Sequence, residues 1–148
     1  MILENSSQVE NLQIRLYTSE DYEDILEIWQ MSHIRPFLPD QLERLDTAKG
    51  QALVATISEK IEEKIVGVLI WAQNGQTGNL WRLAVHPDYR RRGIAKALLA
   101  QSEIAMKNAG LEGIRLMLRT QNQNARDLYL QNGWKHQEGI EVWAKKLN

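Results

Sequence analysis

Three consecutive arginines, Arg90, Arg91 and Arg92, precede Gly93 and then a run in which Ile94, Leu98, Leu99, Ala105 and Met106 keep helical spacing. Positive charge is thereby crowded against a helix start, the end that already carries partial positive charge from its aligned peptide dipoles. The first-turn N–H groups, expected over residues 91–95, lack intrahelical partners and add to that field, so the three features together suit an anion. Gly93 has no Cβ to hold a ligand away from the backbone, and Ala95 is small. Without an anion each arginine opposes the dipole by about 0.3 kcal/mol; with a diphosphate bound the sign reverses. A solvated basic loop is the plain alternative, and position before an apolar helix lowers its odds without deciding.

A second stretch, "NQNARDLYLQNGW" from Asn122 to Trp134, sets Tyr129 at helical spacing, where a tyrosine is ordinarily a core residue, and offers Asn122 and Asn124 as helix caps. The chain has no cysteine, which removes disulfides, thiolate metal sites and any acyl-cysteine intermediate, and no metal is expected. Lys plus Arg total 18 against 19 for Asp plus Glu, so no general attraction to nucleic acid or anionic membrane follows. A nucleic-acid contact by the arginine triplet would predict steep salt dependence, and the absence of interleaved aromatics counts against it. The first residues lack a cationic start with an apolar run, and no stretch approaches the ~18 apolar residues that span a bilayer. The cytoplasm is the expected compartment.

The elements that must position these residues follow from hydrophobic period. With 148 residues and 43% hydrophobic content the chain is expected to form one domain over residues 12–148, after a loose tail over 1–11. "LQIRLYT" alternates as a strand, Ser19 caps a helix from about Asp21 to Ser32, and a short helix is expected from Asp40 to Ala48. "ALVATI" and "IVGVLIWA" form a hairpin, the second run apolar enough for the centre of a sheet. "NLWRLAV", the helix after the arginines, the strand "GIRLMLRT", the helix "NARDLYLQN", and the strands "WKH" and "IEVWAKKL" complete an order β-α-α-β-β-β-α-β-α-β-β. That order reads as α/β or α+β with a mixed sheet.

Residues 90–95, Arg-Arg-Arg-Gly-Ile-Ala, match the Arg/Gln-x-x-Gly-x-Gly/Ala signature of the GNAT superfamily of acyl-CoA-dependent N-acyltransferases. "LAVHPDYRRRGIAKALL" is similar to that family's strand, loop and helix, and "NQNARDLYLQNGW" resembles its Asn-x-x-Ala-x-x-Leu-Tyr motif followed by Gly and an aromatic. The order of elements extends the resemblance from about Leu12 to Leu147. It implies a single-domain, mostly antiparallel sheet with splayed central strands flanked by helices. It also implies acetyl-CoA as cosubstrate, its pantetheine arm beside Leu83, Ala84 and Val85, and its diphosphate on the N–H groups of Arg91, Arg92, Gly93, Ile94 and Ala95 with arginines including Arg90 screening charge. Tyr129 is then expected to donate to the departing sulfur, and Asn122 to contact the arm.

In this reading a short acyl group passes directly to a primary amine in a ternary complex; a non-catalytic acyl-CoA-sensing module is the alternative. Many relatives take the amine proton with a carboxylate on the strand before the loop, but Asn79-Leu80-Trp81-Arg82 offers none. Glu138, Glu141, His33, His86 and a water chain are the remaining candidates, and no base is singled out. The acceptor, a small-molecule or protein amine, is expected beside "MSHIRPFLPD" and "HQEGIE". There Met31, Phe37 and Leu38 either wall an apolar slot or cover the core. Arg35 and Arg82 either hold an acceptor carboxylate or are solvated, and the structural reading is favoured for both sets. Trp71, Trp81 and Trp143 are expected to pack the sheet or a dimer contact, so monomer and homodimer both remain open.

Overall fold

A computed structural model of the chain describes residues 11–148. Its elements run β1 (Gln13–Leu16), α1 (Tyr22–Met31), α2 (Pro39–Glu43), β2 (Gly50–Glu59), β3 (Glu62–Asn74), β4 (Thr77–Val85), α3 (Ile94–Asn108), β5 (Gly113–Arg115) and α4 (Gln123–Gln131). Short 3-10 turns occupy Ser19–Asp21 and Pro87–Tyr89. Two compact units result, one ending at Met117 and the other Leu118–Asn148. The tail expected over residues 1–11 lies, apart from Asn11, outside the described residues. Among the described residues no helix is long and apolar enough to cross a membrane.

The first unit is the expected mixed α/β layer structure. Its five-stranded sheet follows chain order β1-β2-β3-β4-β5, antiparallel except for the parallel β4–β5 pair. β3 is central, as its apolar run requires, because a strand covered on both faces has no place for alternating polar residues. Ile25, Ile28 and Trp29 of α1 pack with Val54, Val68, Ile70 and Ala84 on one face. The fifteen-residue α3 covers the other face, and glycines let it approach closely. A Cβ at Gly67 would lie 3.0 Å from Leu98 Cδ1 and 3.1 Å from Ile94 Cγ2, while one at Gly78 would collide with Met106 Sδ.

The chain start is pinned by charge. Arg15 of β1 donates to both carboxylate oxygens of buried Asp21, at 2.8 and 2.9 Å, and to Glu63 Oε1 at 2.7 Å. The cap is therefore made from Thr18, whose N–H donates to Asp21 Oδ2 at 2.8 Å, rather than from Ser19. Burial alone would push the Asp21 carboxyl up, but Arg15 and the Thr18 N–H together hold it below the ordinary carboxylate range. A carboxyl lowered on folding contributes stability above its unfolded pKa and loses it as pH falls through the folded value. Asp21→Asn therefore costs about 2 kcal/mol at neutral pH, discounted from a fully buried pair because Arg15 is partly exposed and keeps Glu63. In urea melts the deficit shrinks below about pH 4; a deficit independent of pH would show that charge is not its source.

Several boundaries differ from the sequence expectation. α2 ends at Glu43 rather than at Ala48 and gives way to turns up to Lys49, and Gly50 begins β2. β5 stops at Arg115 although the apolar alternation continues to Thr120, because its partner β4 is paired only over Thr77–Asn79. In the second unit α4 begins at its Asn122 cap and is followed by Gly133 with φ +87°. The strands expected at "WKH" and "IEVWAKKL" are not formed among the described residues. Alternation chooses which face a strand would bury, but a strand exists only through ladder partners, and here Gly139 turns with φ +83° while Ile140, Val142, Trp143 and Leu147 stand exposed.

Candidate functional site

The site is built on an irregularity in β4. Ala84 faces Val68 and Trp81 faces Ile70 across the ladder, so Arg82 and Leu83 together oppose Leu69. The extra residue is accommodated by Arg82 at φ +57°, a conformation that costs a non-glycine residue about 1 kcal/mol. The bulge puts both Trp81 and Ala84 against the α1 core, which regular alternation would forbid. Side chains hold it in place. Trp29 Nε1 donates to the Arg82 carbonyl at 2.9 Å, and Arg82 Nε donates to the Arg35 carbonyl at 2.7 Å. The Arg82 guanidinium lies 5.0 Å from the Phe37 ring centre, and Phe37 sits 6.4 Å from both Trp29 and Trp81.

Phe37 thus covers the core edge, while Leu38 and Met31 are exposed. Arg82 is half-buried and tied down rather than solvated; Arg35 is exposed. Trp71 packs in the sheet with its Nε1 donating to Gln51 Oε1 at 3.2 Å. Trp143 is exposed. Replacing Trp29 by Phe keeps an aromatic ring but leaves a cavity where the rest of the indole was and the Arg82 carbonyl without its donor, the latter alone a loss of about 1–3 kcal/mol. Denaturant unfolding of Trp29→Phe should show a lower midpoint at unchanged slope; an unchanged midpoint would mean that the sheet holds the bulge unaided.

Among the described residues the β5 side of β4 has no ladder partner beyond Asn79, so Ala84 and Val85 pair with β3 alone, Leu83 lies in the bulge, and their backbone groups line a free edge. That edge leads into the arginine loop. The His86 N–H donates to the Val66 carbonyl at 2.8 Å, at the point where β3 has its own extra residue, and His86 Nδ1 accepts the Asp88 N–H at 3.1 Å. The chain then turns through Arg91 at φ +62° and Gly93 at φ +83°, and Gly93 is the N-cap of α3. A glycine cap brings no side-chain acceptor, and the first turn of α3 carries no acidic residue, so its positive end is not compensated from within the helix. Ile94 is buried and presents only its N–H; Ala95 is half-buried.

The three arginines do different things. Arg90 donates through Nε to the Val85 carbonyl at 3.2 Å and through Nη2 to Ser32 Oγ at 3.1 Å, tying the loop to the end of α1. Arg91 is exposed. Arg92 lies 5.2 Å from the Tyr89 ring centre, and Lys64 lies at the same distance from that ring. Tyr89 is steadied by a hydrogen bond from its hydroxyl to Glu59 Oε1 at 3.1 Å and by edge contact with His86. Sequence reasoning passed over Tyr89, Lys64 and the Trp29 contact, since nothing in spacing signals a partner tens of residues away.

In the second unit Asn122 Oδ1 accepts the Ala125 N–H at 3.1 Å, the capping role open to it from sequence. Tyr129 on α4 is half-buried beside Trp134, ring centres 5.2 Å apart, and burial pushes its hydroxyl up to about 12. It is a phenol donor, never a phenolate, at neutral pH. Among the base candidates, Glu141 accepts from Trp143 Nε1 at 3.1 Å and His33 stands at φ +57°. No cluster of His, Asp or Glu that could hold a metal ion occurs among the described residues.

The site is thus a mixed sheet whose fourth strand loses its β5 partner after Asn79 and leads into an arginine-flanked helix start with no side-chain cap. The sequence model of the acetyltransferase (GNAT) family matches residues 14–134, and the chain belongs to that family. The acetyltransferase SG1711 of Sodalis glossinidius (strain morsitans) is 28% identical over 140 residues, covering 92% of this chain and 96% of the relative. Solved structures share the fold at lower identity. The PaiA N-acetyltransferase of Thermoplasma acidophilum, in complex with coenzyme A, is 22% identical with a TM-score of 0.72, covering 87% of this chain and 92% of that one. An aminoglycoside acetyltransferase from an uncultured soil metagenomic sample, in complex with trehalose, is 18% identical with a TM-score of 0.75, covering 93% and 97%.

Proposed function

We propose that residues 12–148 act as one N-acetyltransferase domain that moves an acetyl group from acetyl-CoA directly to a primary amine. The observation that carries this reading is the continuity between the free β4 edge and the uncapped start of α3. The residues present fit such a donor. An arm with two amides finds the strand edge from Leu83 to Val85, which β5 leaves free and where Arg90 takes the Val85 carbonyl, and a diphosphate finds N–H groups from Arg91 to Ala95 where Gly93 has no side chain to obstruct it. Arg92, set over the Tyr89 ring, and exposed Arg91 supply charge to the diphosphate, while Arg90 fixes the loop's position.

Attack by a neutral amine forms a tetrahedral oxyanion, and the thiolate of coenzyme A leaves. Tyr129 gives the departing sulfur a proton or hydrogen bond, consistent with a hydroxyl that stays protonated. The absence of cysteine favours one direct transfer over an acyl-cysteine relay. Asn122 contacts the arm through the amide nitrogen that its capping role leaves over. The amine belongs to a small molecule or a protein terminus, the enzyme works in the cytoplasm as a monomer or homodimer, and no metal, nucleic acid or membrane takes part. The relatives named as acetyltransferases, one acting on aminoglycosides by its name and one solved with coenzyme A, support an acyl-CoA donor and an amine acceptor.

The test is release of free thiol from acetyl-CoA over a panel of amines, with calorimetric titration of coenzyme A alongside. Thiol release that depends on an amine is the expected result. Tight coenzyme A binding with no amine-dependent release across the panel would leave a sensing module instead.

A further inference from the structure

The β4 bulge gathers positive charge as well as geometry. Arg82 Nε donates to the backbone carbonyl of Arg35, which brings the two arginines to one place at the middle of the loop between α1 and α2. Arg90 holds the beginning of the same loop through Ser32. Arg15 and Arg44 have carboxylate partners within 3.2 Å, but among the described residues neither Arg35 nor Arg82 is within ion-pair distance of any carboxylate. Arg82 is moreover half-buried, with Phe37 under its guanidinium. Burial and the charge of Arg35 both work against its proton. Two like charges, one of them fixed and partly desolvated, are held beside each other without a counter-ion. An arrangement of that kind favours an anion supplied from outside.

Its place relative to the chemistry follows from strand length, and here the argument rests on the acetyl-transfer reading above. An arm that leaves the start of α3 and lies along β4 from Val85 back to Trp81 covers about 13 Å at ~3.3 Å per residue. The thioester then arrives beside the bulge, near where pairing with β5 ends at Asn79. An amine attacking there has Arg82 and Arg35 within reach of the rest of its molecule.

We propose that the acceptor is an amine bearing a carboxylate, and that Arg82 and Arg35 bind this carboxylate at the β4 bulge. A guanidinium takes a carboxylate through paired N–H donors, and Arg82 keeps both terminal nitrogens for that purpose because only its Nε is engaged by Arg35. A polycationic amine would meet repulsion at the same spot.

The experiment compares the standard α-amino acids with their α-amides and with spermidine as acceptors. It uses the full-length wild type, Arg35→Gln and Arg82→Gln. Two readouts are taken: kcat/KM for thiol release, and the thermal shift each compound adds to the coenzyme A complex. The wild type is expected to favour at least one amino acid over its amide by about tenfold or more in kcat/KM, with a matching extra thermal shift. Both variants should lose the preference while keeping the shift produced by coenzyme A alone. The Arg35 side chain is exposed, so Arg35→Gln carries the test should Arg82→Gln fail to fold. Equal use of acid and amide, preference for spermidine, or an undiminished preference in Arg35→Gln overturns the proposal. If no compound is turned over, the thermal shifts decide: a carboxylate-dependent shift lost in Arg35→Gln supports it, and none overturns it. Failure of coenzyme A itself to stabilise the wild type would overturn the acetyl-CoA reading as well, and so is told apart from failure of the carboxylate site alone.

Discussion

Gly93→Asp should lower affinity for coenzyme A about hundredfold while the protein remains folded. Aspartate tolerates the left-handed conformation at φ +83° better than most residues, at about 1 kcal/mol. At an N-cap its carboxylate accepts from the N–H groups two and three residues on, here Ala95 and Lys96. Ala95 is among the donors proposed for the diphosphate, and the new negative charge repels it as well. The lost Ala95 donor at about 1.5 kcal/mol and a repulsion of similar size amount to roughly 3 kcal/mol, or about a hundredfold in affinity. Thermal stability should move little, since the helix exchanges strain for a cap. Calorimetric titration with coenzyme A checks the first expectation and a circular dichroism melt the second. Unchanged affinity in a folded variant would remove the diphosphate from the start of α3.

Tyr129→Phe should lower turnover at least tenfold with coenzyme A affinity nearly intact, because the ring and its contact with Trp134 persist and only the hydroxyl is lost. The pH profile adds a sign. With its hydroxyl pushed up to about 12, Tyr129 holds its proton throughout the physiological range, and its loss as a donor begins only as pH approaches that value. Wild-type turnover should therefore show no alkaline fall attributable to Tyr129 below about pH 11. Steady-state rates and a coenzyme A titration on the variant separate the two effects. Equal turnover in wild type and Tyr129→Phe would take the residue out of the mechanism.

Local pattern carried far in this chain. The uninterrupted apolar run of β3 announced a strand covered on both faces, and it lies at the centre of the sheet. The helical spacing past the arginines announced α3, although its first turn begins at Ile94 rather than among residues 91–93, because Gly93 in the left-handed conformation caps the helix. The end of the chain shows the limit of such reasoning. "IEVWAKKL" has strand alternation yet forms no ladder among the described residues, since pattern supplies a face but not a partner.

By itself, then, the amino-acid order determined the mixed sheet, the arginine-flanked helix start, the exclusion of cysteine chemistry and the phenol on α4. Each depends on neighbours within a turn or two. The tertiary structure alone decided that Arg82 sits in a bulge under Trp29, that β4 frees its edge after Asn79, and that Arg35 and Arg82 meet with no carboxylate partner among the described residues. Those facts join residues tens of positions apart. Such contacts are chosen by packing of the whole unit, to which no short stretch of sequence has access.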